Sequence, residues 1–83
     1  MLHGLMTPET CRAARGLIGL TQAELAAAAS VGLSTVKNYE NGVYTPIANN
    51  LAAIRRALEA KGALLFDAGE ASLVGGVGVR LKP

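Results

Sequence analysis

The chain has 83 residues, of which eight are Lys or Arg and six are Asp or Glu, so its formal net charge is +2. This length holds one core and excludes two domains within these residues, while the weak positive charge allows a polyanionic partner but excludes a densely basic nucleic-acid coat protein. One Cys and one His exclude an internal disulfide and a zinc cluster, so we expect no metal and no other cofactor.

The apolar composition favours a helical protein, and the single cysteine favours a location in the cytoplasm. Hydrophobic residues make up 51% of the chain and aromatic residues 4%, so the core must consist of small aliphatic side chains, which suits closely packed helices. Cys11 is interpreted as a small buried hydrophobe in a reducing compartment. No uninterrupted apolar run reaches the ~18 residues of a membrane span, so we expect a cytoplasmic location and no membrane partner.

The chain begins with a predicted flexible tail, residues 1–6, which is followed by the start signal of a helix. Thr7-Pro8-Glu9 combines a capping hydroxyl, a proline that loses no hydrogen bond at the first helical position, and an acid at the positive end of the helix dipole. Gly19 then favours a helix end at Leu17 or Ile18.

The second and third predicted helices are separated by a short interruption. Thr21-Gln22-Ala23-Glu24 is a capping box that starts the second helix. Ser30-Val31-Gly32 breaks the pattern, and Leu33–Asn41 resumes helical spacing before Gly42. In the third helix, Val36 and Tyr39 should be buried. The polar residues that should be exposed are Ser34, Lys37, Asn38 and Asn41.

A longer fourth helix follows. Thr45-Pro46 repeats the hydroxyl-then-proline start, and apolar residues at spacings of three and four predict a helix that ends near Lys61-Gly62. The predicted apolar stripe consists of Ile47, Leu51, Ile54 and Leu58.

Residues 63–83 change to a strand-like pattern. An apolar run at 63–67 precedes an alternating stretch at 77–82, and glycines between them supply turn material. A two-stranded ribbon is marginally stable alone, so the strands should pack on the fourth helix or pair with a second chain. We favour the second arrangement, which makes 63–83 a candidate dimerisation element of the same domain as the helices of 7–62.

The second and third predicted helices have the lengths and spacing of a DNA-binding unit. Two short helices joined by a turn of three or four residues can place the second helix in the major groove. Base edges there present hydrogen-bonding patterns that Ser, Thr, Asn and Lys side chains can read. The polar face of the third helix therefore predicts a helix-turn-helix unit.

The same stretch resembles the lambda-repressor-like, or XRE-type, helix-turn-helix family. The resemblance covers about residues 7–61 and rests on Leu20-Thr21-Gln22-Ala23-Glu24-Leu25-Ala26, Val31, Thr35-Val36, Tyr39-Glu40-Asn41-Gly42 and Thr45-Pro46. It implies a mainly α, four-helix domain, here with a C-terminal β-hairpin or strand tail, that binds double-stranded DNA and regulates transcription.

The resemblance also implies roles for individual residues. The base edges would be contacted by Leu33, Ser34, Lys37 and Asn38, and Lys37 would be placed for either a phosphate or a purine edge. The sugar-phosphate backbone would be contacted by Gln22, Thr35, Asn41, Val43, Tyr44 and Thr45. Arg15 and Glu40 would form a structural salt bridge between the first and third helices.

Each role has a plainer alternative. Gln22 could simply start a helix, Lys37 and Asn38 could lie on a solvated face, and Leu33 could pack into the core. The remaining arginines of the helices are interpreted as surface charges rather than DNA contacts, although any of them could add to a non-specific field. They are Arg12, Arg55 and Arg56.

The turn departs from the family pattern. The family usually has Gly, then Val, then a capping Ser or Thr, whereas this chain has Ser30-Val31-Gly32. A left-handed Ser costs about 1 kcal/mol and Gly is a weaker cap than Ser, so we expect a remodelled turn before Leu33. The strand-rich tail also stands where the family commonly has a fifth, dimer-forming helix.

Two functions follow as hypotheses. The first is a dimeric operator-binding repressor with half-sites about 10 base pairs apart. The alternative is an antitoxin or other interaction protein that autoregulates its operon while its C-terminal strands bind a toxin or another protein by edge addition. An enzyme is not expected, because the sequence lacks a Ser/His/Asp or Cys/His pairing and a plausible carboxylate pair.

Overall fold

Four helices and a pair of strands follow one another along the chain. The computed structural model describes residues 6–66 and 78–81. Its elements are α1 (Pro8–Ile18), α2 (Gln22–Ala29), α3 (Leu33–Glu40), α4 (Ala48–Ala60), β1 (Ala63–Phe66) and β2 (Gly78–Leu81). The predicted mainly α fold with four helices and a short strand pair is confirmed.

The first two helices begin and end where their sequence signals predict. In α1 the Thr7 hydroxyl accepts a hydrogen bond from the Thr10 amide, and the helix ends at Gly19 in the left-handed conformation with φ 70°. In α2 the Thr21 hydroxyl accepts from the Glu24 amide at 3.0 Å, and a Glu24 carboxylate oxygen accepts from the Thr21 amide at 2.9 Å. The capping box therefore satisfies two amides that the helix itself leaves without acceptors.

The turn between α2 and α3 contains the expected strained serine. Ser30 has φ 57° and ψ 42°, and among the described residues it is the one non-glycine residue with positive φ. Gly32 is the N-cap of α3 and makes no side-chain capping hydrogen bond. The two departures from the family pattern thus leave α3 with a strained turn before it and a weak cap at its start.

Replacing Ser30 with Gly is expected to stabilise the protein by about 0.5–1 kcal/mol, because Gly adopts the left-handed conformation without steric cost. For a domain of this size, that corresponds to a rise in Tm of a few degrees, which circular dichroism on heating would measure. Gly19→Ser is the reciprocal control, since it creates the same strain at the end of α1 and should lower the Tm. An unchanged or lower Tm for Ser30→Gly would contradict the prediction.

Helix α4 begins later than the Thr45-Pro46 signal predicts. It starts at Ala48, with Ile47 as an extended N-cap residue that makes no side-chain capping bond. Pro46 is buried, and the chain is still extended at Ile47 before α4 begins. Ile47 is consequently 69% exposed rather than part of the apolar stripe. The residues of α4 that are fully or nearly buried are Ile54, Ala57 and Leu58.

The two strands pair with each other. They are antiparallel, with Ala63 opposite Leu81 and Leu65 opposite Val79. Ala63 and Leu65 are buried, and β1 packs against α1 and α4 while β2 packs against α1. Of the two predicted arrangements, the structure therefore contains the packing of the strands on the helices of the same chain. The predicted turn glycines Gly69, Gly75 and Gly76 lie outside the described residues.

The core begins one residue before the predicted domain boundary. Met6, which the sequence places in the flexible tail 1–6, is 8% exposed, and its carbonyl accepts a hydrogen bond of 3.0 Å from the Tyr39 hydroxyl. Burial raises the pKa of Tyr39 to about 12, so this hydroxyl stays a donor. A buried tyrosine needs a hydrogen-bond partner, and this need ties Met6 to α3; residues 1–5 lie outside the described residues.

Helix α3 is held by a core shared among all four helices. The largest fully buried side chains are Tyr39, Leu25, Ile54, Leu58, Glu40, Val36 and Cys11, and three of these belong to α3. Within residues 6–66 and 78–81, no helix has the length and apolarity needed to cross a membrane.

Candidate nucleic-acid interface

Helix α3 separates an anchored side from an exposed side. Val36 and Tyr39 are at most 2% exposed and fix the helix to the core. With about 100° of rotation per residue, positions 33, 34, 37, 38 and 41 fall within an arc of about 140° on the other side. This arc, which we call the α3 face, carries the side chains that can reach a ligand.

The structure places most of the predicted contact residues at the surface. Those that are exposed are Leu33, Ser34, Lys37, Asn41, Val43, Tyr44 and Thr45. Those that are half-buried are Gln22, Thr35 and Asn38. Leu33 is 43% exposed, so the alternative in which Leu33 packs into the core is wrong.

The loop after α3 is tied to the end of the helix. Asn41 is the C-cap residue, Gly42 takes the left-handed conformation with φ 75°, and the Val43 amide donates to the Asn38 carbonyl at 2.8 Å. This bond fixes the direction in which the loop leaves α3. Val43 and Tyr44 are left 68% and 48% exposed beside the α3 face.

A buried carboxylate joins α3 to the two preceding helices. Glu40 accepts hydrogen bonds from Arg15 Nε and Nη2, both at 2.7 Å, from Gln22 Nε2 at 3.0 Å and from Cys11 Sγ at 3.2 Å. Its backbone carbonyl accepts from the Arg12 guanidinium. The side chain of Glu40 is 0% exposed and that of Arg15 19% exposed. We call these five residues the Glu40 cluster, and it includes the ion pair that the resemblance implied.

Burial and hydrogen bonding compete at Glu40. Burial by itself would raise the pKa of this carboxyl, but the hydrogen bonds from Arg15, Gln22 and Cys11 outweigh it and hold the pKa below the usual 4.5. Burial, with the neighbouring Glu40, strongly raises the pKa of the Cys11 thiol, so the thiol stays protonated and donates. The hydrogen bond to Glu40 raises the pKa of Arg15, so the cluster is a fixed ion pair.

The lowered pKa of Glu40 predicts a loss of stability in acid. The unfolded chain takes up this proton at a higher pH than the folded chain, so the stabilisation is complete above about pH 4.5 and is lost as the pH falls through the folded pKa. Urea unfolding between pH 3 and pH 7 would measure the slope. In Glu40→Gln the slope should be shallower. Glu59→Gln, which removes a half-buried pair with Arg55, serves as the control and should resemble the unmodified protein. Equal slopes in all three proteins would contradict the prediction.

Sequence reasoning missed three members of the Glu40 cluster, one of which is Gln22, predicted only as a phosphate contact or a helix start. Cys11 was interpreted only as a hydrophobe and Arg12 as a surface charge, yet both donate hydrogen bonds to Glu40. The sequence spacing could have indicated a role for Cys11, because residues four apart lie on the same face of a helix and Cys11 therefore lies beside Arg15. No local pattern links any of the three residues to position 40.

Gln22 lies at the junction of the Glu40 cluster and the surface. One of its two amide donors is used by Glu40 at 3.0 Å, which leaves the second N–H and the carbonyl oxygen. The backbone amides of Gln22 and Ala23 belong to the first turn of α2 and have no acceptor within the helix. The predicted phosphate contact of Gln22 remains a prediction.

The match to a family model decides what kind of domain this is. Residues 12–64 match the model of a helix-turn-helix family, a range that contains α2, α3 and α4 entirely. The chain belongs to the lambda-repressor-like helix-turn-helix family. Lambda-repressor-like domains are DNA-binding regulators and are generally not enzymes. A comparison with curated proteins found no match.

The match to the helix-turn-helix family spans the pair α2 and α3. The Glu40 cluster lies behind this pair and contacts both helices as well as α1. Within the part of the chain that the structure describes, no group of three or more His, Cys, Asp or Glu side chains could hold a metal ion. The α3 face and the start of α2 are therefore the surfaces on which a function must be argued.

Proposed function

We propose that the protein is a sequence-specific transcription regulator, and specifically a dimeric repressor that inserts α3 into the major groove of double-stranded DNA. The observation that carries the proposal is the α3 face, where Ser34, Lys37 and Asn38 project from a helix whose other side is buried. Hydroxyl, amide and ammonium groups match the donors and acceptors of base edges. Because its partner is DNA, the proposed place of action is the cytoplasm.

The surroundings of the α3 face are proposed to hold the DNA backbone. The free amides of Gln22 and Ala23 point out of the positive end of the α2 dipole, which favours a phosphate. Thr35 and the post-α3 residues Asn41, Val43, Tyr44 and Thr45 are proposed to contact sugar and phosphate on the other side. Such contacts set the register of a protein on the duplex, whereas base contacts supply specificity.

Charge supports a dimer rather than a monomer. Lys37 is the one cation of α3. The α1 cations Arg12 and Arg15 are engaged by Glu40 and do not add to the charge of the α3 face. Since phosphate neutralisation supplies most of the non-specific affinity, one module should bind weakly. Two linked modules share one entropic cost and contact two half-sites, about 10 base pairs apart.

We propose residues 63–83 as the dimer contact. Among the described residues, β1 and β2 form a two-stranded sheet. The Leu65 carbonyl of β1 already accepts a hydrogen bond from Arg55, so we propose the outer edge of β2 as the one that another strand joins. Leu81 is 53% exposed at the end of β2. The same edge could instead bind a toxin or another protein, which is the alternative function.

Selection of duplexes from a random library, combined with measurement of the mass of the complex, tests the proposal. A palindrome with half-sites about one helical turn apart, bound by two chains, is the expected result. Folded protein that enriches no sequence would overturn DNA reading. An enriched single half-site bound by one chain would overturn the dimer alone and direct attention to a protein partner for the strands.

Lys37→Ala is expected to weaken binding and to reduce its salt dependence, because the ammonium group of Lys37 is placed for a phosphate as well as for a purine edge. Each lost phosphate contact lowers the slope of log K against log salt by about 0.9, so a dimer should lose about two. Fluorescence anisotropy with the selected duplex at several salt concentrations measures both quantities. Arg56→Ala is the matched control, because it also removes one exposed cation. Arg56 lies on α4, about 12 Å along the axis from the start of that helix, and is not among the proposed DNA contacts, so the slope should not change. An unchanged slope in Lys37→Ala would show that Lys37 does not contact a phosphate.

A further inference from the structure

Leu33 is a large aliphatic side chain that lies outside the core. It is 43% exposed, and it belongs neither to the buried core nor to the partly buried apolar residues packed against that core. Val31, only two residues earlier, does pack against the core. The apolar surface of Leu33 is therefore available on the α3 face, in the first position of the helix.

The chemistry of the side chain limits what it can read. Leu has no donor or acceptor, so it cannot recognise the nitrogen and oxygen atoms of base edges. In the major groove, the apolar feature of a base edge is the C5-methyl group of thymine. We propose that Leu33 reads the C5-methyl group of one pyrimidine in each half-site. The inference rests on the proposed placement of α3 in the groove.

The residue before Leu33 is consistent with a close approach. A Cβ atom at Gly32 would meet only Ser34 Oγ and Thr35 Oγ1, both at 3.8 Å, and Gly32 has φ −72°. Neither crowding within the chain nor backbone conformation requires a glycine there. Its effect is to remove bulk beside Leu33 at the end of α3 that enters the groove first.

Replacement of thymine by uracil tests the proposal, because it removes the C5-methyl group and leaves every hydrogen-bonding atom in place. The probe is the duplex selected from the random library, with uracil introduced at one thymine position at a time. One position per half-site should lose about fourfold in affinity, the effect of burying one methyl group, and the doubly substituted palindrome about 15-fold. A 5-methylcytosine placed at the same position should bind more tightly than cytosine.

Variants assign the effect to the side chain. Leu33→Ala should bind the thymine and uracil duplexes equally, while Leu33→Met should keep a preference for thymine. Leu17→Ala is the matched control, because Leu17 is 46% exposed on α1, and it should leave the preference unchanged. Thermal unfolding of Leu33→Ala should match that of the unmodified protein, since the side chain is exposed.

The outcomes separate this inference from the proposed function. If no sequence is enriched from the library, both fail. If a sequence is enriched but every uracil substitution is neutral, or if Leu33→Ala retains the preference for thymine, the reading of a methyl group by Leu33 is wrong while the protein still reads DNA.

Discussion

Arg15→Met is expected to lower the free energy of unfolding by about 3–5 kcal/mol, because it leaves a buried carboxylate without its ionic partner. Glu40 is 0% exposed and loses two hydrogen bonds of 2.7 Å. Gln22 and Cys11 still donate to it, but neither is charged. Small domains have about 5–15 kcal/mol of stability, so the variant should be close to unfolding.

Urea unfolding of a set of variants would measure this effect. Glu40→Gln should cost less than Arg15→Met, since the 19% exposed Arg15 side chain can keep part of its hydration. The double variant Arg15→Met/Glu40→Leu should recover much of the loss, because it removes both charges and fills the space with apolar atoms. Equal losses in the two single variants would contradict the asymmetry, and a loss of under 1 kcal/mol in Arg15→Met would contradict the burial argument.

The Glu40 cluster also has a consequence for binding. It connects α1, α2 and α3 through one carboxylate, so it sets the position of Gln22 relative to the α3 face. A variant that keeps the fold but breaks the contact between Gln22 and Glu40 should alter the proposed phosphate contact before it alters base specificity. The buried residue Glu40 therefore matters both for stability and for the proposed reading of DNA.

The second large effect is expected from Asn38→Ala, which should weaken operator binding about 30-fold to 10⁴-fold. A good contact between a side chain and a base edge is worth about 1–3 kcal/mol, and a dimer on a palindrome loses it twice. The carboxamide of Asn38 offers both a donor and an acceptor, which suits adenine. The selected duplex in an anisotropy titration provides the measurement.

The pattern of the Asn38→Ala loss shows which kind of contact was removed. Loss of a base contact should relax specificity at one base pair per half-site when the selection is repeated, whereas a uniform loss over all sequences would indicate a backbone contact instead. Glu59→Ala is the control, since Glu59 pairs with Arg55 on α4 and should not change the selected sequence. The Tm of each variant separates lost contacts from lost folding.

Local signals in the sequence determined most of the helical framework. The starts of α1 and α2 at Thr7 and Thr21 and the end of α1 at Gly19 depend on hydrogen bonds and backbone angles among residues at most five apart, so the sequence alone predicts them. The periodicity of α3 likewise separated the buried Val36 and Tyr39 from the polar face. Resemblance to the family added the Arg15–Glu40 pair, which no local pattern contains.

Tertiary structure alone decided the features that depend on what each residue packs against. Pro46 is buried, α4 starts at Ala48 and Ile47 is left exposed, none of which follows from the local start signal at Thr45-Pro46. In the same way, pairing of the two strands on α1, burial of Met6 and convergence of Cys11 and Arg12 on Glu40 join residues far apart in sequence. Local sequence determines where a helix begins and which face is polar, whereas the identity of its neighbours arises only when the whole core is assembled, because burial is shared among all the elements at once.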